Sequence, residues 1–409
     1  MIEKFKIYLS LLVIIAFLSG CSAIQSIKLV NGGEVVKNNA PDSVIPFTLE
    51  GGVILINAKL NHSDKVYRFI VDTGALTMIS TDVAKELNLP KGIEVKAGGT
   101  GGNSKTINLV KLESVLVGGM EVKDCATGVT DFRPLFPRRV AGILGSNFLK
   151  YFKVTINYQK KELTLSQDTR AIATERNDIK IPFELDMMHG FAPIVECELD
   201  GNIKEKGVID TGFYGFIALP TSIIKKSPSF KNGTVVTSDG SMSGGMFGMG
   251  ERENYALRLN KIKIGNLQLQ NIPATSHSHK DGQILVGNKF LEKYLVTLNY
   301  PAKEMTLRAV ALPSESNILD FGLALTKKNN KTVVLGVWHN SSAFKKGLRV
   351  GDEIIRIDDI KTDIISSILE LMIMFKSEEK KHIKIEFKNE KGRDSVILEK
   401  EEILPILGS

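Results

Sequence analysis

Two Asp-Thr-Gly triplets contain the residues of this sequence that are best suited to chemistry. Asp72 begins the first triplet within residues 69–80 (FIVDTGALTMIS), and Asp210 begins the second within residues 207–219 (GVIDTGFYGFIAL). Two carboxylates held about 3 Å apart cannot both ionise, so they share one proton. The ionised member can then take a proton from a bound water while the other donates one. Such a pair is therefore suited to general acid–base catalysis.

The similarity between the two halves of the chain extends well beyond the triplets. Residues 142–149 (GILGSNFL) correspond to residues 283–291 (QILVGNKFL). Residues 154–165 (VTINYQKKELTL) and 296–307 (VTLNYPAKEMTL) agree at eight of twelve positions. Agreement over such lengths indicates an internal duplication of a whole lobe of about 130 residues.

These residues resemble those of the aspartic proteases, in which each of two similar lobes supplies one aspartate on a loop at the end of a strand. The resemblance implies that Asp72 and Asp210 are the catalytic pair. In that family an apolar-apolar-glycine segment packs beneath each loop, and Gly145 and Gly287 follow the two aspartates here by 73 and 77 residues. Both lobes lie in one chain, as in pepsin, whereas their brevity resembles the retroviral type. The resemblance covers residues 44–311.

The same resemblance implies roles for the other residues of the triplets. Thr73 and Thr211 are expected to hydrogen-bond across a pseudo-two-fold axis and so hold the two loops in place. Gly74 and Gly212 are expected to permit a tight backbone there. The reaction would be hydrolysis of a peptide bond by a water bound between the aspartates, and it requires neither a metal nor a cofactor.

One glycine-rich segment lies between each triplet and its second motif: residues 97–104 (AGGTGGNS) in the first half and 238–250 (SDGSMSGGMFGMG) in the second. In position they match the flaps that close over the substrate in the aspartic proteases. Glycine lets such a hairpin bend and approach a peptide closely. Ordinary flexible loops are the alternative. The glycines expected to act in these flaps are Gly98, Gly99, Gly101, Gly102, Gly244 and Gly245.

The residue after each triplet bears on how the aspartates titrate. In pepsin-like lobes this residue is commonly Ser or Thr, whose hydroxyl donates to a catalytic carboxylate. Here it is Ala75 in one lobe and Phe213 in the other, and neither side chain can donate. Loss of a donor to the charged form raises the pKa of a carboxyl group. We therefore expect activity to be greatest at mildly acidic to near-neutral pH.

The N-terminus has the layout of a secretory signal, with two lysines before the apolar run at residues 7–17. Residues 18–21 (LSGC) resemble a bacterial lipobox, which implies that Cys21 becomes lipidated and anchors the chain to a membrane. By resemblance to known lipoproteins, Ser22 favours the outer membrane, facing the periplasm. An uncleaved signal anchor is the alternative. Residues 22–43 are polar and turn-rich, which predicts a tether.

The chain changes character after residue 312, where residues 313–317 read as a linker. Beyond them, residues 346–358 (KGLRVGDEIIRID) closely resemble a segment of bacterial PDZ domains. The resemblance implies a groove that binds the C-terminus of a peptide or protein as an added strand. Alternatively, this domain only packs against the protease or mediates assembly. The loop that would bind the terminal carboxylate consists of Phe321, Gly322, Leu323 and Ala324.

Net charge and cysteine content argue against a nucleic-acid partner and against a disulfide framework. The formal net charge of +7 is mild and spread along the chain, so it gives no reason to expect a nucleic-acid partner. Apart from Cys21, the chain contains only Cys125 and Cys197, which the repeat aligns with apolar residues of the other half. We therefore predict that both are small buried residues rather than a disulfide.

The sequence as a whole predicts a mainly β protein: two pseudo-two-fold related acid-protease lobes followed by a small α+β PDZ domain. Its function would be that of a membrane-anchored aspartic endopeptidase, acting on a peptide or protein substrate in the cell envelope. A catalytically inert peptide-binding or scaffold lipoprotein is the alternative. The expected segments are a signal peptide at 1–21, a tether at 22–43, lobe 1 at 44–172, lobe 2 at 173–311 and the PDZ domain at 319–409.

Overall fold

The computed structural model has a mainly β architecture, which confirms the predicted fold class. Two lobes of similar topology are followed by a smaller C-terminal domain. The predicted signal peptide, including Cys21, lies outside the described residues. The structure describes residues 24–37, 40–99, 102–170, 175–250, 253–278, 282–310, 317–376 and 379–404.

The first lobe is formed by short strands rich in β-branched and aromatic residues, which favour extended backbone. Its helices are short, and Ser80 caps one of them by accepting a hydrogen bond from the Val83 N–H. The strands are β1 Glu34–Val35, β2 Asp42–Pro46, β3 Thr48–Glu50, β4 Val53–Leu60, β5 Tyr67–Asp72, β6 Met78–Ser80, β7 Ile93–Gly98, β8 Ser104–Val117, β9 Met120–Thr130, β10 Val140–Gly145, β11 Lys153–Asn157 and β12 Glu162–Ser166. The helices are α1 (residues 24–31), α2 Thr81–Glu86 and α3 Ser146–Leu149.

Alternation along the strands divides the apolar residues of lobe 1 between two faces of its nine-stranded sheet. In β4, Ile54 and Ile56 belong to the main core, which extends through both lobes. Val53 and Leu55 belong to a separate apolar cluster on the opposite face. At the centre of the sheet β5 runs parallel to β10, so Asp72 lies opposite Gly145.

The second lobe repeats this arrangement. Its strand β16 runs parallel to β23, just as β5 runs parallel to β10. The strands are β13 Ile179–Pro182, β14 Glu184–Asp186, β15 Ala192–Leu199, β16 Ile203–Ile209, β17 Ile217–Pro220, β18 Val235–Gly240, β19 Gly244–Gly245, β20 Gly248–Met249, β21 Tyr255–Ile264, β22 Leu267–His277, β23 Ile284–Val286, β24 Tyr294–Asn299 and β25 Glu304–Ala309. The helices are α4 Thr221–Ile224, α5 Pro228–Asn232 and α6 Asn288–Leu291, with a 3-10 turn at Met187–His189.

A six-stranded sheet joins the two lobes, in the order β13-β25-β24-β11-β12-β2. At its centre β11 and β24 pair antiparallel, with Thr155 opposite Thr297. The hydroxyl groups of these threonines lie 3.0 Å apart. Because β11 and β24 are equivalent strands of the sequence repeat, the pseudo-two-fold axis passes through this sheet. The sheet therefore fixes the orientation of one lobe relative to the other.

The C-terminal domain is a small α+β unit with its own apolar core, which includes Phe321, Leu348 and Ile385. Its strands are β26 Leu319–Asp320, β27 Leu323–Lys328, β28 Lys331–Trp338, β29 Glu353–Ile357, β30 Ile360–Lys361, β31 His382–Asn389, β32 Gly392–Glu399 and β33 Glu401–Glu402. The helices are α7 Ser342–Lys345 and α8 Ile368–Lys376.

The predicted linker lies outside the described residues except for residue 317, and the C-terminal domain beyond it is joined directly to lobe 2. Strand β18 of lobe 2 pairs antiparallel with β28, with Ser238 opposite Trp338. The two domains therefore share a single 14-stranded sheet. The buried side chain of Arg258 in lobe 2 forms an ion pair with Glu402 at 3.1 Å. The C-terminal domain thus has a core of its own and is also joined to lobe 2 by backbone pairing and a buried ion pair.

The predicted tether is also partly folded onto lobe 1. Residues 24–31 are helical, and β1 pairs antiparallel with β9. The Tyr151 hydroxyl donates to the carbonyl oxygens of Gly32 and Gly33, at 3.0 and 2.8 Å. Val35 packs against the main core, and its burial accounts for the difference from the prediction. Among the helices in the described part of the chain, none is long and apolar enough to cross a bilayer.

Candidate active site

The two candidate aspartates emerge at equivalent places in the two lobes. Asp72 ends β5, and Asp210 follows directly after β16. Each of these strands is a central strand that pairs in parallel with the strand of the second motif. Parallel strands present their carboxyl ends at the same edge of a sheet, so each loop lies over the glycine of its own second motif.

The carboxyl groups of Asp72 and Asp210 lie close enough together for each to influence the pKa of the other. The Gly74 N–H donates to Asp72 Oδ1 at 2.9 Å, and the Gly212 N–H donates to Asp210 Oδ1 at 2.8 Å. A Cβ on Gly74 would lie 2.9 Å from Asp210 Cγ, and one on Gly212 would overlap Asp72 Oδ2. Both positions therefore require glycine because the aspartate of the opposite lobe lies against them.

Burial raises the pKa of both carboxyl groups. The pKa of Asp72 lies well above its ordinary value of 3.8 because the group is desolvated, and the charge of Asp210 raises it further. Burial also raises the pKa of Asp210, while N–H groups of Gly212 and Phe213 partly oppose the shift. The direction agrees with the prediction from Ala75 and Phe213, although burial is the leading cause. The two carboxyl groups therefore titrate as a pair, and their shared proton belongs to the pair and not to either residue alone.

The two threonines of the triplets tie the loops together across the pseudo-two-fold axis. The Thr73 N–H donates to Thr211 Oγ1 at 3.1 Å, and the Thr211 N–H donates to Thr73 Oγ1 at 3.0 Å. In turn Thr73 Oγ1 donates to the Ile209 carbonyl at 2.5 Å, and Thr211 Oγ1 to the Val71 carbonyl at 2.9 Å. Both side chains are fully buried, so these four hydrogen bonds fix the loops without competition from water.

The second-motif glycines lie directly under the catalytic loops. A Cβ on Gly145 would overlap the carbonyl oxygen of Ala75, and one on Gly287 would overlap the carbonyl oxygen of Gly215. Backbone atoms cannot move aside as a flexible side chain can. These two positions therefore accept only glycine, for reasons of contact distance rather than backbone angle.

The residue after each second-motif glycine also holds a triplet loop in place, a role that no pattern in the sequence indicates. Ser146 Oγ donates to the Thr73 carbonyl at 2.7 Å and lies 2.8 Å from the Tyr300 hydroxyl. In the other lobe Asn288 Nδ2 donates to the Thr211 carbonyl at 2.6 Å. Ser146 and Asn288 are therefore equivalent supports, although their side chains differ.

Two tyrosines complete these supports from the opposite lobe. The Tyr158 hydroxyl donates to Asn288 Oδ1 at 2.7 Å, and Tyr300 reaches Ser146 in the same manner. Each tyrosine ends the matching pentapeptide of its repeat, VTINY or VTLNY. The sequence repeat shows that both halves carry a tyrosine at this position. It does not show which residue each tyrosine contacts, because that contact depends on how the six-stranded sheet places each tyrosine under the other lobe.

The two glycine-rich segments form hairpins whose tips meet. Gly98 ends β7, and the Gly99 N–H donates to the Asn103 carbonyl at 3.0 Å. In the second hairpin Gly244 and Gly245 form β19, which pairs with β20 around an apolar tip. A Cβ on Gly99 would lie 3.3 Å from the ring of Phe247 in that tip. Gly101 lies outside the described residues, whereas Gly102 lies close to the carbonyl oxygen of Ser278.

An apolar cluster built mostly from lobe 1, here called the cleft cluster, extends from the first triplet loop to both hairpins. It includes Ala75, which follows the first triplet, and Phe247 from the tip of the second hairpin. One end of the cluster therefore lies next to the loop that carries Asp72. Its buried members are Val53, Leu55, Ile70, Met78, Ile107, Phe132, Val140, Ile143 and Leu369, and Ala75, Val95, Ala97, Phe136, Met246, Phe247 and Ile373 pack against them.

The candidate carboxylate loop of the C-terminal domain follows β26 and continues into the beginning of β27. Phe321 is fully buried, and Leu323 and Ala324 begin β27. Gly322 has a φ of +87°, and its N–H donates to Asp320 Oδ1 at 2.8 Å. The donor that begins this loop is thus engaged by an aspartate of the same chain.

Comparison with known families agrees with this geometry. Residues 56–148 match the family model described as aspartyl protease. The match begins in β4 and ends in α3, so it includes Asp72 and Gly145, and it supports an aspartyl protease domain in this part of the chain. No protein in a search of curated sequences matches the chain.

Proposed function

We propose that this protein is an aspartic endopeptidase that hydrolyses peptide bonds with a water activated between Asp72 and Asp210. The observation that carries the proposal is the pair of facing carboxyl groups with raised pKa values. Buried carboxylates held against one another cost stability, so an arrangement that keeps both is best explained by catalysis.

The reaction follows from one proton shared by two carboxyl groups. The ionised carboxylate takes a proton from the bound water, whose oxygen attacks the peptide carbonyl carbon, while the protonated carboxyl group donates to the carbonyl oxygen. The resulting tetrahedral intermediate breaks its C–N bond as the amine nitrogen receives a proton from one carboxyl group, while a hydroxyl group of the intermediate returns its proton to the other carboxylate. The products are a carboxylic acid and an amine, and the pair returns to its starting protonation state. Contact between the two hairpin tips supports their role as a cover that restricts water at this step.

The first prediction tests the pair directly. Asp72→Asn and Asp210→Asn each remove one member of the acid–base pair while keeping its shape, and we expect kcat/KM for a peptide substrate to fall at least about 10³-fold. Asp64→Asn, at a fully exposed side chain, is the matched control and should leave kcat/KM unchanged. Circular dichroism should report an intact fold in all three variants. Near-normal turnover by either Asp72→Asn or Asp210→Asn would refute the proposed pair.

We further propose that the C-terminal domain is a PDZ domain that binds the C-terminus of a peptide or protein along β27. Within the described part of the chain β27 pairs with β28 alone, and α8 packs beside it. An extended peptide can therefore add to its other edge. Fluorescence polarisation should show binding of C-terminal peptides that weakens when the terminal carboxylate is amidated. Equal binding of both forms would argue against recognition of a carboxylate.

We also propose that the mature protein is held on a membrane of the cell envelope by lipid at Cys21, with the outer membrane facing the periplasm as its location. The support is the apolar run at residues 7–17 followed by the LSGC segment. The second prediction is that Cys21→Ala abolishes partitioning into detergent, whereas the matched variant Cys197→Ala, at a buried free cysteine, does not. Retained partitioning of Cys21→Ala would instead indicate an uncleaved signal anchor.

A further inference from the structure

Helix α8 of the C-terminal domain has apolar residues on two faces. Leu371 and Phe375, four positions apart, belong to the core of the C-terminal domain. Leu369 and Ile373, also four positions apart, belong to the cleft cluster of lobe 1. Residues at this spacing share one face of a helix. The helix therefore packs with one face in its own domain and with the other against the surface that borders the candidate active site.

Backbone hydrogen bonds fix the beginning of α8 on lobe 1. The N–H groups of Ile368 and Leu369 donate to the carbonyl oxygens of Pro134 and Leu135, each at 2.9 Å. The first N–H groups of a helix have no partner within the helix, so a loop that supplies carbonyl oxygens holds the helix by its end. This loop leads into β10, which carries the second motif.

Glycine at a turn of lobe 1 lets the middle of α8 approach closely. Gly51 lies in the turn between β3 and β4 with a φ of +58°, and a Cβ there would lie 2.9 Å from Leu369 Cδ1 and 3.2 Å from Met372 Cβ. The neighbouring Gly52 is covered by the ring of Tyr214, which follows Asp210 by four residues. The same turn is thus held between α8 and the second catalytic loop.

The end of α8 contacts that second catalytic loop. Lys376 Nζ lies 5.2 Å from the centroid of the Tyr214 ring and 2.7 Å from Asp320 Oδ2. A cation over an aromatic face is attracted by the ring, and the attraction is stronger where water is excluded. Helix α8 is therefore fastened to both catalytic lobes, at its beginning and at its end.

We propose that α8 is a wall of the substrate-binding cleft and that Ile373 helps to determine specificity for a large apolar side chain at one position of the substrate. The inference rests on the proposed function. Leu369 is only 3% exposed and so supports the wall, whereas Ile373 is half-buried and retains surface that a ligand can cover. The half-buried side chain of Ile373 packs against this apolar cluster, and an apolar surface within reach of a substrate favours apolar side chains and disfavours charged ones.

The test compares Ile373→Ala with Ile364→Ala, which removes a side chain of the same domain that is 74% exposed. Both variants and the unmodified enzyme are given peptide sets in which one position at a time carries a small, a large apolar or a charged side chain. For Ile373→Ala we expect kcat/KM to fall about ten-fold for peptides with a large apolar side chain at a single position. Peptides with a small side chain there should be cut as before, and Ile364→Ala should match the unmodified enzyme.

Two further variants keep the test decisive if Ile373→Ala does not fold. Ile373→Leu conserves volume and should restore cleavage of the large apolar peptides, and Ile373→Val should shift the preference in the same direction as Ile373→Ala, but less. Peptide binding to the inactive Asp72→Asn enzyme gives a readout that does not depend on turnover. It should weaken with Ile373→Ala for the same peptides.

The outcomes separate this inference from the proposed function. Failure of the unmodified enzyme to cut any peptide would refute the proposed function. Cleavage by the unmodified enzyme with no change of preference in Ile373→Ala would overturn the inference alone. An equal rise in kcat/KM for all peptides would also overturn it, because the helix would then obstruct the cleft instead of lining it.

Discussion

At Asp72 and Asp210 the hydrogen bonds from Gly74 and Gly212 favour the charged form of each carboxyl group, yet the pKa of both groups is raised. Desolvation of the pair therefore outweighs the donors that the loops supply. The absence of a hydroxyl at Ala75 and Phe213 acts in the same direction. In the proposed reaction the two aspartates of the triplets supply the chemistry, and their burial raises the pH range in which they titrate.

The third prediction concerns the pH dependence of stability and follows from the raised pKa of Asp72. Because the pKa of Asp72 is raised in the folded state, the folded protein binds more protons than the unfolded chain at pH values above 3.8. The stability associated with this group is fully present below pH 3.8 and is lost as pH rises through the folded-state pKa. Asp72→Asn stays neutral throughout. It should therefore raise the midpoint of thermal unfolding at pH 7 more than at pH 3.5.

Thermal unfolding followed by circular dichroism between pH 3.5 and 7.5 measures this difference. Asp64→Asn serves as the control, since its exposed carboxyl group should give no such pH-dependent gain. A gain for Asp72→Asn that is equal at both pH values would show that the folded-state pKa is not raised.

Some site residues could be predicted from the sequence and others could not. The triplets and the second-motif glycines stand out because they occur twice in matching contexts. Ser146 and Asn288 serve the same purpose with different side chains, so their equivalence does not appear as identity. Their tyrosine partners come from the other lobe, and no local pattern indicates a contact that depends on how two lobes are joined.

At the level of elements, glycine is required at two kinds of position for different reasons. Gly145 joins β10 to α3 with an ordinary extended backbone, and it is required because Ala75 lies against it. Gly347, in the C-terminal domain, has a φ of +89° with no atom within 4 Å of an added Cβ. The first position is limited by space and the second by backbone conformation.

The fourth prediction compares the free-energy cost of adding a Cβ where space is limiting with the cost where backbone conformation is limiting. Gly145→Ala should lower the free energy of unfolding by about 3 kcal/mol or more, because the Cβ can be accepted only by moving the catalytic loop. Gly347→Ala should lower it by about 1 kcal/mol, the cost of a left-handed conformation for alanine. Urea unfolding measures both values. Similar losses in the two variants would mean that the catalytic loop adjusts easily to added volume.

The elements themselves were the more predictable part of the fold. Alternating apolar residues in segments such as 154–158 identified strands, and the duplication predicted two equivalent lobes. The region around β1 was misinterpreted, because a strand of two residues carries almost no periodic signal. Its position depends on pairing with β9 and on the contact of Val35 with the core.

At the scale of the whole molecule, the C-terminal domain combines a core of its own with extensive attachment to the lobes. The sequence predicted the separate core from a change in composition after residue 312. It could not reveal the pairing of β18 with β28, because that pairing uses backbone groups about a hundred residues apart and needs no particular side chains. A further apolar cluster, containing Val236 and Ala256 of lobe 2 with Trp338, Ile403 and Leu404, closes the same junction.

The fifth prediction is that deletion of residues 317–409 leaves a chain that unfolds or aggregates. The side chain of Arg258 is 5% exposed, and the deletion removes its contacts with Glu402 and Asn317. Loss of the partners of a buried charge costs about 3–5 kcal/mol, and a domain has only about 5–15 kcal/mol of stability in total. Removal of α8 would also expose the cleft cluster to water.

Light scattering and thermal unfolding of the truncated chain measure the outcome. The full-length variant Glu402→Gln keeps all other contacts and should lose far less stability than the truncated chain. Arg258→Met in the truncated chain removes the buried charge and should recover part of the loss. A truncated chain that is monomeric and as stable as the full-length protein would show that the shared sheet contributes little, and that the C-terminal domain is an independent module after all. Arg258→Met should restore stability to the truncated chain without restoring peptide cleavage. This result would fit the proposed contribution of α8 to the cleft, because the substitution removes the buried charge but does not replace the wall that contains Ile373.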